Sequence, residues 1–161
     1  MDLSAWFKEF RALHERAKRG ALTGTELSEC RAARNELARA LLAAQHVAIE
    51  SGQEPRRALR APRVLQADIT SIHGTVRVAT RSIASGGFAA LLARPPRPGE
   101  EVRVALRIPG GELLEARARV LDVKSDQGST QVSFAWIDLA DADAERVETL
   151  VFDVILSELK T

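Results

Sequence analysis

Glu101-Val102-Arg103-Val104-Ala105-Leu106-Arg107-Ile108 sets an apolar residue at every second position, and Pro109-Gly110-Gly111 follows at once. Period two places Val102, Val104, Leu106 and Ile108 on one face of a pleated strand, and the Pro-Gly-Gly run turns the chain into a hairpin. The same pattern extends in both directions. Upstream, Val64 to Thr70 and Gly74 to Ile83 are separated only by Ser71-Ile72-His73, which predicts another hairpin, and Gly87 to Ala93 gives a further strand before the turn Pro95-Pro96-Arg97-Pro98-Gly99-Glu100. Downstream, Leu113 to Val123 and Thr130 to Ile137 are joined by Lys124-Ser125-Asp126-Gln127-Gly128, with glycine where positive φ is easiest. About six short strands with no helix between them predict an antiparallel barrel or sandwich. Closure is expected, because so small a sheet must protect its edges. Phe134 and Trp136 share one strand face, which is read as inward.

Helical periodicity frames this β region. Towards the carboxyl end, Asp141 and Asp143 offer N-caps, Glu145 suits the positive end of the helix dipole, and Val147, Leu150, Val151, Val154, Ile155 and Leu159 fall on one face. That helix is expected to lie over the barrel. Near the amino end, Ser4 can cap a helix whose apolar face carries Trp6, Phe7, Phe10 and Leu13, and Gly20 is placed to end it after Arg16, Lys18 and Arg19. Thr23-Gly24-Thr25-Glu26 fits a capping box, in which the threonine oxygen and the glutamate each satisfy a free backbone amide. From Leu27 to about Ala48 the chain is rich in alanine and free of proline and glycine, so a long helix antiparallel to the first is predicted. The fold class is therefore mainly β with flanking helices. Residues 1–50 form a helical hairpin, 51–63 an arginine-rich linker, and 64–161 a barrel with a carboxyl-terminal helix.

The second helix sets Leu27, Cys30, Ala33, Leu37, Leu41 and Ala44 on one narrow stripe. Two readings remain open. The stripe packs on the first helix and the barrel, or Leu37 and Leu41 with Trp6 and Phe10 also make an interaction surface for a homodimer or another protein. Cys30 reads as a small core residue, with no basic neighbourhood to make it a nucleophile.

Composition narrows the function. The 161 residues are 45% hydrophobic, enough for a core, and the net charge of only +1 gives no global case for a nucleic-acid polymer or an anionic membrane. One cysteine and three scattered histidines (His14, His46, His73) have no metal-ligand spacing, and no Ser/His/Asp set has a catalytic context. No metal, cofactor or catalytic residue is expected. Phe88, Phe134 and Trp136 are the only barrel aromatics, too few for a base-stacking face. No apolar run approaches the length of a membrane span, and the amino terminus lacks a basic flank before an apolar run, so a cytoplasmic chain is expected.

Two clusters carry the remaining signal. Arg56-Arg57-Ala58-Leu59-Arg60, with Arg63, leads into the first strand, and Ser82-Ile83-Ala84-Ser85-Gly86-Gly87-Phe88 follows the second. Four arginines within eight positions either bind an anion or solvate a linker and cap barrel edges. In order and content, residues from about Arg56 to Lys160 resemble a PilZ domain: an arginine-rich lead-in, a six-stranded barrel and a carboxyl-terminal helix. The resemblance implies binding of cyclic di-GMP through an Arg-x-x-x-Arg motif and an Asp/Asn-x-Ser-x-x-Gly motif. Arginine forks bond phosphate or the guanine edge, and the acidic or amide residue accepts from guanine. Arg56 and Arg60 keep the first spacing, although a register taken from Ala61-Pro62-Arg63-Val64 makes Arg63 the second arginine and puts Leu59 at its partner position.

The second motif departs from the family pattern. Its three positions hold Ser82, Ala84 and Gly87, so the acid or amide and the serine are both replaced. Charge-assisted hydrogen bonds contribute about 1.5–3 kcal/mol each, so their loss weakens binding by about one to several powers of ten. Ser82 and Ser85 retain hydroxyls that could reach a phosphate, and Gly87 suits a tight turn or bulge. The sequence therefore predicts a non-enzymatic signalling adaptor working through protein contacts, with weak or absent cyclic di-GMP binding. The alternative is a genuine receptor that uses Arg56 to Arg63 with an unusual second motif. Motility and surface behaviour are themes of the family.

Overall fold

In the computed structural model, which describes residues 2–49, 52–126 and 128–159, the alternating stretch forms a strand over Glu101–Leu106 with Val102, Val104 and Leu106 buried. The elements in chain order are α1 (Leu3–Lys18), α2 (Gly24–Ala44), α3 (Pro55–Ala58), β1 (Ala61–Pro62), β2 (Gln66–Ser71), β3 (Gly74–Ala84), β4 (Gly87–Leu91), β5 (Glu101–Leu106), β6 (Leu114–Asp126), β7 (Ser129–Ile137) and α4 (Asp141–Glu158). Strands neighbour one another in the order β1-β3-β2-β5-β6-β7-β4, and β4 returns to pair with β3. Six antiparallel strands thereby close a barrel, and the two-residue β1 lies against the end of β3 at Ile83 and Ser82. The interior holds Ile69, Ile83, Val104, Leu106 and Val120 around Phe88 and Phe134, whose rings stack with centroids 4.7 Å apart. Trp136 is only half-buried and reaches Phe88 at 5.2 Å.

The first main strand starts two residues later than its apolar pattern suggests. The Thr80 hydroxyl accepts from the Leu65 amide at 2.8 Å and donates to the Arg63 carbonyl at 2.7 Å, so a side chain stands in for ladder bonds and leaves Val64 72% exposed. The expected linker thus contains a helical turn and a short strand.

α1 is capped by Asp2, not Ser4: the Asp2 carboxylate accepts from the Ala5 amide at 2.8 Å, adding negative charge at the positive helix end. Gly20, at φ +66°, closes the other end, with the Ala21 amide donating to the Arg16 carbonyl and the Gly20 amide to that of Ala17. The capping box at Thr23 and Glu26 is formed. α2 stops at Ala44, short of Ala48, because His46 takes the left-handed conformation and the Val47 amide bonds back to the Leu42 carbonyl. α4 has Ala140 at its N-cap without a side-chain bond; Asp141 and Asp143 sit inside the first turn, where they favour the dipole without capping.

The buried faces differ from the apolar stripes by a small rotation. On α2 they are Cys30, Arg34, Leu37, Ala38 and Leu42, so Arg34 replaces Ala33 at the centre. On α4 they include Glu148, Phe152 and Leu156 beside Val147, Val151 and Ile155. α4 contacts β1 and β3 on one side and α1 on the other, where Phe10 meets Phe152 edge-on at 6.3 Å. The helical hairpin therefore shares its core with the helix that covers the barrel. No helix among the described residues is long and apolar enough to cross a membrane.

Candidate functional site

The arginine segment is divided between interior and solvent. Pro55 starts α3, where a ring that lacks an amide proton costs nothing, and the single turn carries Arg56 inward and Arg57 outward. Arg56 is fixed at both backbone groups and along its side chain. Its amide donates to Asn35 Oδ1 on α2 at 3.2 Å, and its carbonyl accepts from Ser85 Oγ in the β3–β4 turn at 3.2 Å. Its Nη2 lies 2.8 Å from Glu54 Oε2 and its Nε 2.9 Å from Glu148 Oε1, the latter an ion-pair contact without hydrogen-bond alignment. With its side chain 9% exposed, Arg56 faces the helices and not the solvent. A nucleotide contact at Arg56, as expected from the motif spacing, would have to compete with Glu54 and Glu148.

Glu148 belongs to a larger buried network. Arg34, with no exposed side-chain surface, holds Glu145 with both terminal nitrogens at 2.8 and 3.0 Å and Glu148 at 3.0 Å, while its guanidinium lies over the Phe152 ring. Desolvation works against the Arg34 charge, but the hydrogen bonds and charge of Glu145 outweigh it and raise its pKa. The same bonds overcome burial at Glu145 and hold its carboxyl below its usual value. A chain of alternating charge thus joins α2, α4 and α3. Sequence reasoning missed it. The available signal was Glu148 interrupting the apolar face of α4 between Val147 and Val151, and Arg34 one turn after Cys30.

The other expected site residues separate into two groups. Ser85 is buried and its hydroxyl donates to the Arg56 carbonyl at 3.2 Å. Gly87 is demanded by strand packing: a Cβ there would stand 1.8 Å from the Phe134 carbonyl oxygen. Arg57, Arg60 and Arg63 are exposed. Arg57 pairs loosely with Glu54 at 3.5 Å, and Arg60 Nη1 reaches Ser82 Oγ at 3.4 Å. The Arg63 amide bonds the Arg81 carbonyl, which brings a further exposed guanidinium to the same edge. Among the described residues no carboxylate pairs with Arg60, Arg63 or Arg81. The accessible remnant of the two motifs is therefore a basic edge with one serine and no carboxylate or amide to accept from a guanine edge.

Of the residues expected to form an interaction surface, Phe10 is 1% exposed and Leu37 6%, so both belong to the internal core, Phe10 against Phe152 of α4. Trp6 and Leu41 are half-buried and, with Leu3, Phe7 and Leu159, line an apolar groove of about 620 Å³ floored by Leu37. Cys30 is buried, which raises its thiol pKa and leaves it inert.

Comparison with known proteins agrees with the barrel. No curated protein matches the sequence. Among solved structures, the chain is similar to the inhibitor of motility MotI/DgrA of Bacillus subtilis, with 20% identity, TM-score 0.59 and coverage of 63% of this chain and 52% of that one. It is also similar to the PilZ domain of YcgR from Escherichia coli, solved with c-di-GMP, at 15% identity and TM-score 0.54, covering 63% and 92% of the two chains. The MrkH–c-di-GMP complex of K. pneumonia matches at 17% identity and TM-score 0.58, covering 69% and 55%. The chain thus spans about half the length of MotI/DgrA and MrkH. A sequence profile described as the PilZ domain matches residues 54–153, more than half of the chain, and the chain belongs to the PilZ domain family.

Proposed function

We propose that this protein is a non-enzymatic PilZ adaptor that acts through protein contacts and binds cyclic di-GMP weakly or not at all. The observation that carries this reading is the state of Arg56: its guanidinium is buried against Glu54 and Glu148 and its backbone is tied to Asn35 and Ser85. A ligand phosphate would have to displace two carboxylates and strip Glu148 of a partner in a low-dielectric interior. The lost acidic or amide residue at Ser82 works in the same direction, since a hydroxyl accepts where a carboxylate offers two charged oxygens. The similar proteins supply the theme of c-di-GMP signalling and motility, and the apolar groove at Trp6 and Leu41 is the face proposed for a homodimer or partner protein.

A second reading, a receptor with an altered site, is favoured by the proximity of Arg60 to Ser82 among the exposed arginines. Calorimetric titration with cyclic di-GMP at moderate salt separates the two. Silence from the wild type is expected. Micromolar or tighter binding that disappears in an Arg57→Ala/Arg60→Ala/Arg63→Ala variant would overturn the adaptor reading and establish a receptor.

A further inference from the structure

The barrel closes along only part of β3. Residues Gly74 to Ala79 pair with β2, whereas β4 pairs with β3 only from Thr80 to Ala84. β4 ends at Leu91, and the Leu92 amide bonds to the Thr130 carbonyl on the β7 side, so the chain beyond β4 leaves β3 behind. Among the described residues nothing pairs with the outer side of β3 between Thr75 and Ala79.

Backbone parity says which groups are free. The Gln66 carbonyl accepts from the Arg107 amide, and the Leu65 carbonyl accepts from the Thr80 amide. In an antiparallel ladder, residues bonded to one neighbour alternate with residues bonded to the other. Val76 and Val78 therefore bond to β2, and Thr75, Arg77 and Ala79 turn their N–H and C=O groups outward. The side chains agree: Val76, on the same face as buried Ile69 and Thr80, is 50% exposed. An added strand would cover it.

We propose that this free edge of β3 accepts an extended segment of a partner protein that alternates acidic and apolar residues. Its apolar side chains would cover Val76 and Val78 on the inner face, and its acidic ones would meet Arg77 and Arg81 on the outer face, with Arg63 beside them. Arg63 and Arg81 have no carboxylate partner among the described residues, and Arg77 shares only the exposed Asp68, at 3.0 Å. A second copy of the chain is disfavoured at this edge, because antiparallel pairing about Arg77 sets arginine against arginine. The bulge between Thr80 and Ser82 adds to that protection by bending the strand where pairing with β4 begins.

The test is amide hydrogen exchange read by NMR on the full chain with a capped peptide, Glu-Val-Glu-Val-Glu-Val-Glu. The Arg77 and Ala79 amides should exchange fast in the free protein and slow by at least about tenfold with peptide, while Val76 and Val78 are protected throughout. Ala79→Pro removes an outward amide and no bond to β2, so it should keep the fold and lose the peptide effect. Arg77→Glu, which replaces an exposed side chain, should lose it too and serves if the proline variant does not fold. The proposal is overturned if neither outward amide is slowed, if Lys-Val-Lys-Val-Lys-Val-Lys slows them equally, or if a folded Ala79→Pro or Arg77→Glu responds like the wild type.

Discussion

Removing the Arg34 guanidinium is expected to cost this protein a large part of its stability. Arg34 has no exposed side-chain surface, and it carries three hydrogen bonds of 2.8–3.0 Å to Glu145 and Glu148 together with the Phe152 contact. In Arg34→Ala, Glu145, which is 23% exposed, can rehydrate, but Glu148 at 7% cannot and keeps only the poorly aligned Arg56 Nε. Breaking a buried pair by deleting one member costs about 3–5 kcal/mol because the survivor is left buried and under-compensated. For a chain of this size about 2–4 °C of melting temperature accompanies each kcal/mol, so a fall of roughly 6–20 °C is expected. Glu145→Ala should cost less, about 1.5–3 kcal/mol, since Arg34 keeps Glu148. Arg34→Met/Glu148→Leu should recover more than half of the Arg34→Ala loss, because matched apolar groups replace the ions and Arg56 retains Glu54. Urea unfolding followed by circular dichroism, with constant m, provides the comparison. An Arg34→Ala cost below about 1 kcal/mol, the range of solvent-exposed pairs, would refute the claim that the network is desolvated.

Gly87→Ala should cost at least about 3 kcal/mol, since its Cβ would collide with a backbone oxygen that cannot swing away, whereas Gly86→Ala, whose nearest atom is 3.7 Å off, should stay within about 1 kcal/mol; thermal melts of the two decide. Burial lowers the pKa of His14, with Lys18 and Arg34 adding to the effect and Asp153 opposing it. A base with a depressed folded-state pKa is protonated first in the unfolded chain, so its contribution is present above about pH 6.5 and is lost as pH falls. Melts from pH 8 to 5 should therefore decline, less steeply in His14→Gln, and a flat profile in the wild type would contradict this. The proposed homodimer through the Trp6 and Leu41 groove predicts a dimeric mass for the wild type by light scattering and a monomeric one for Leu41→Glu, with near-ultraviolet dichroism unchanged; Leu37→Glu is unsuitable, because Leu37 is internal and the charge would unfold the core.

The strands were legible because period two leaves a local trace: Val102, Val104 and Leu106 alternate in the sequence and are buried in the barrel. The capping box at Thr23 and Glu26 was legible for the same reason, its partners being three residues apart. Arg34 was not, because an arginine counts as a solvent residue until its partner is known, and that partner, Glu145, is 111 positions away. The shortened first strand was hidden in the Thr80 hydroxyl, which reaches back 15 residues to the Leu65 amide. At Ser85 and Gly87 the sequence carries no trace of the neighbours they meet, because the Arg56 carbonyl lies 29 positions from Ser85 and the Phe134 carbonyl belongs to a distant strand.

On the proposed adaptor reading, the Arg56 spacing persists while the role of the side chain changes. In an anion site the guanidinium must be desolvated only when the ligand arrives, and the attraction gained then offsets the water lost. Here α4 supplies Glu148 and the lead-in supplies Glu54, so the carboxylates of the chain itself already occupy the arginine in the folded state. An intramolecular carboxylate needs no association entropy, so it competes with a free phosphate at a high effective concentration. Asn35 extends the hold to α2, and Ser85 extends it to the β3–β4 turn. The hairpin brings Arg34 against Glu148, Glu148 draws in Arg56, and Pro55–Ala58 thereby joins the helices to the barrel.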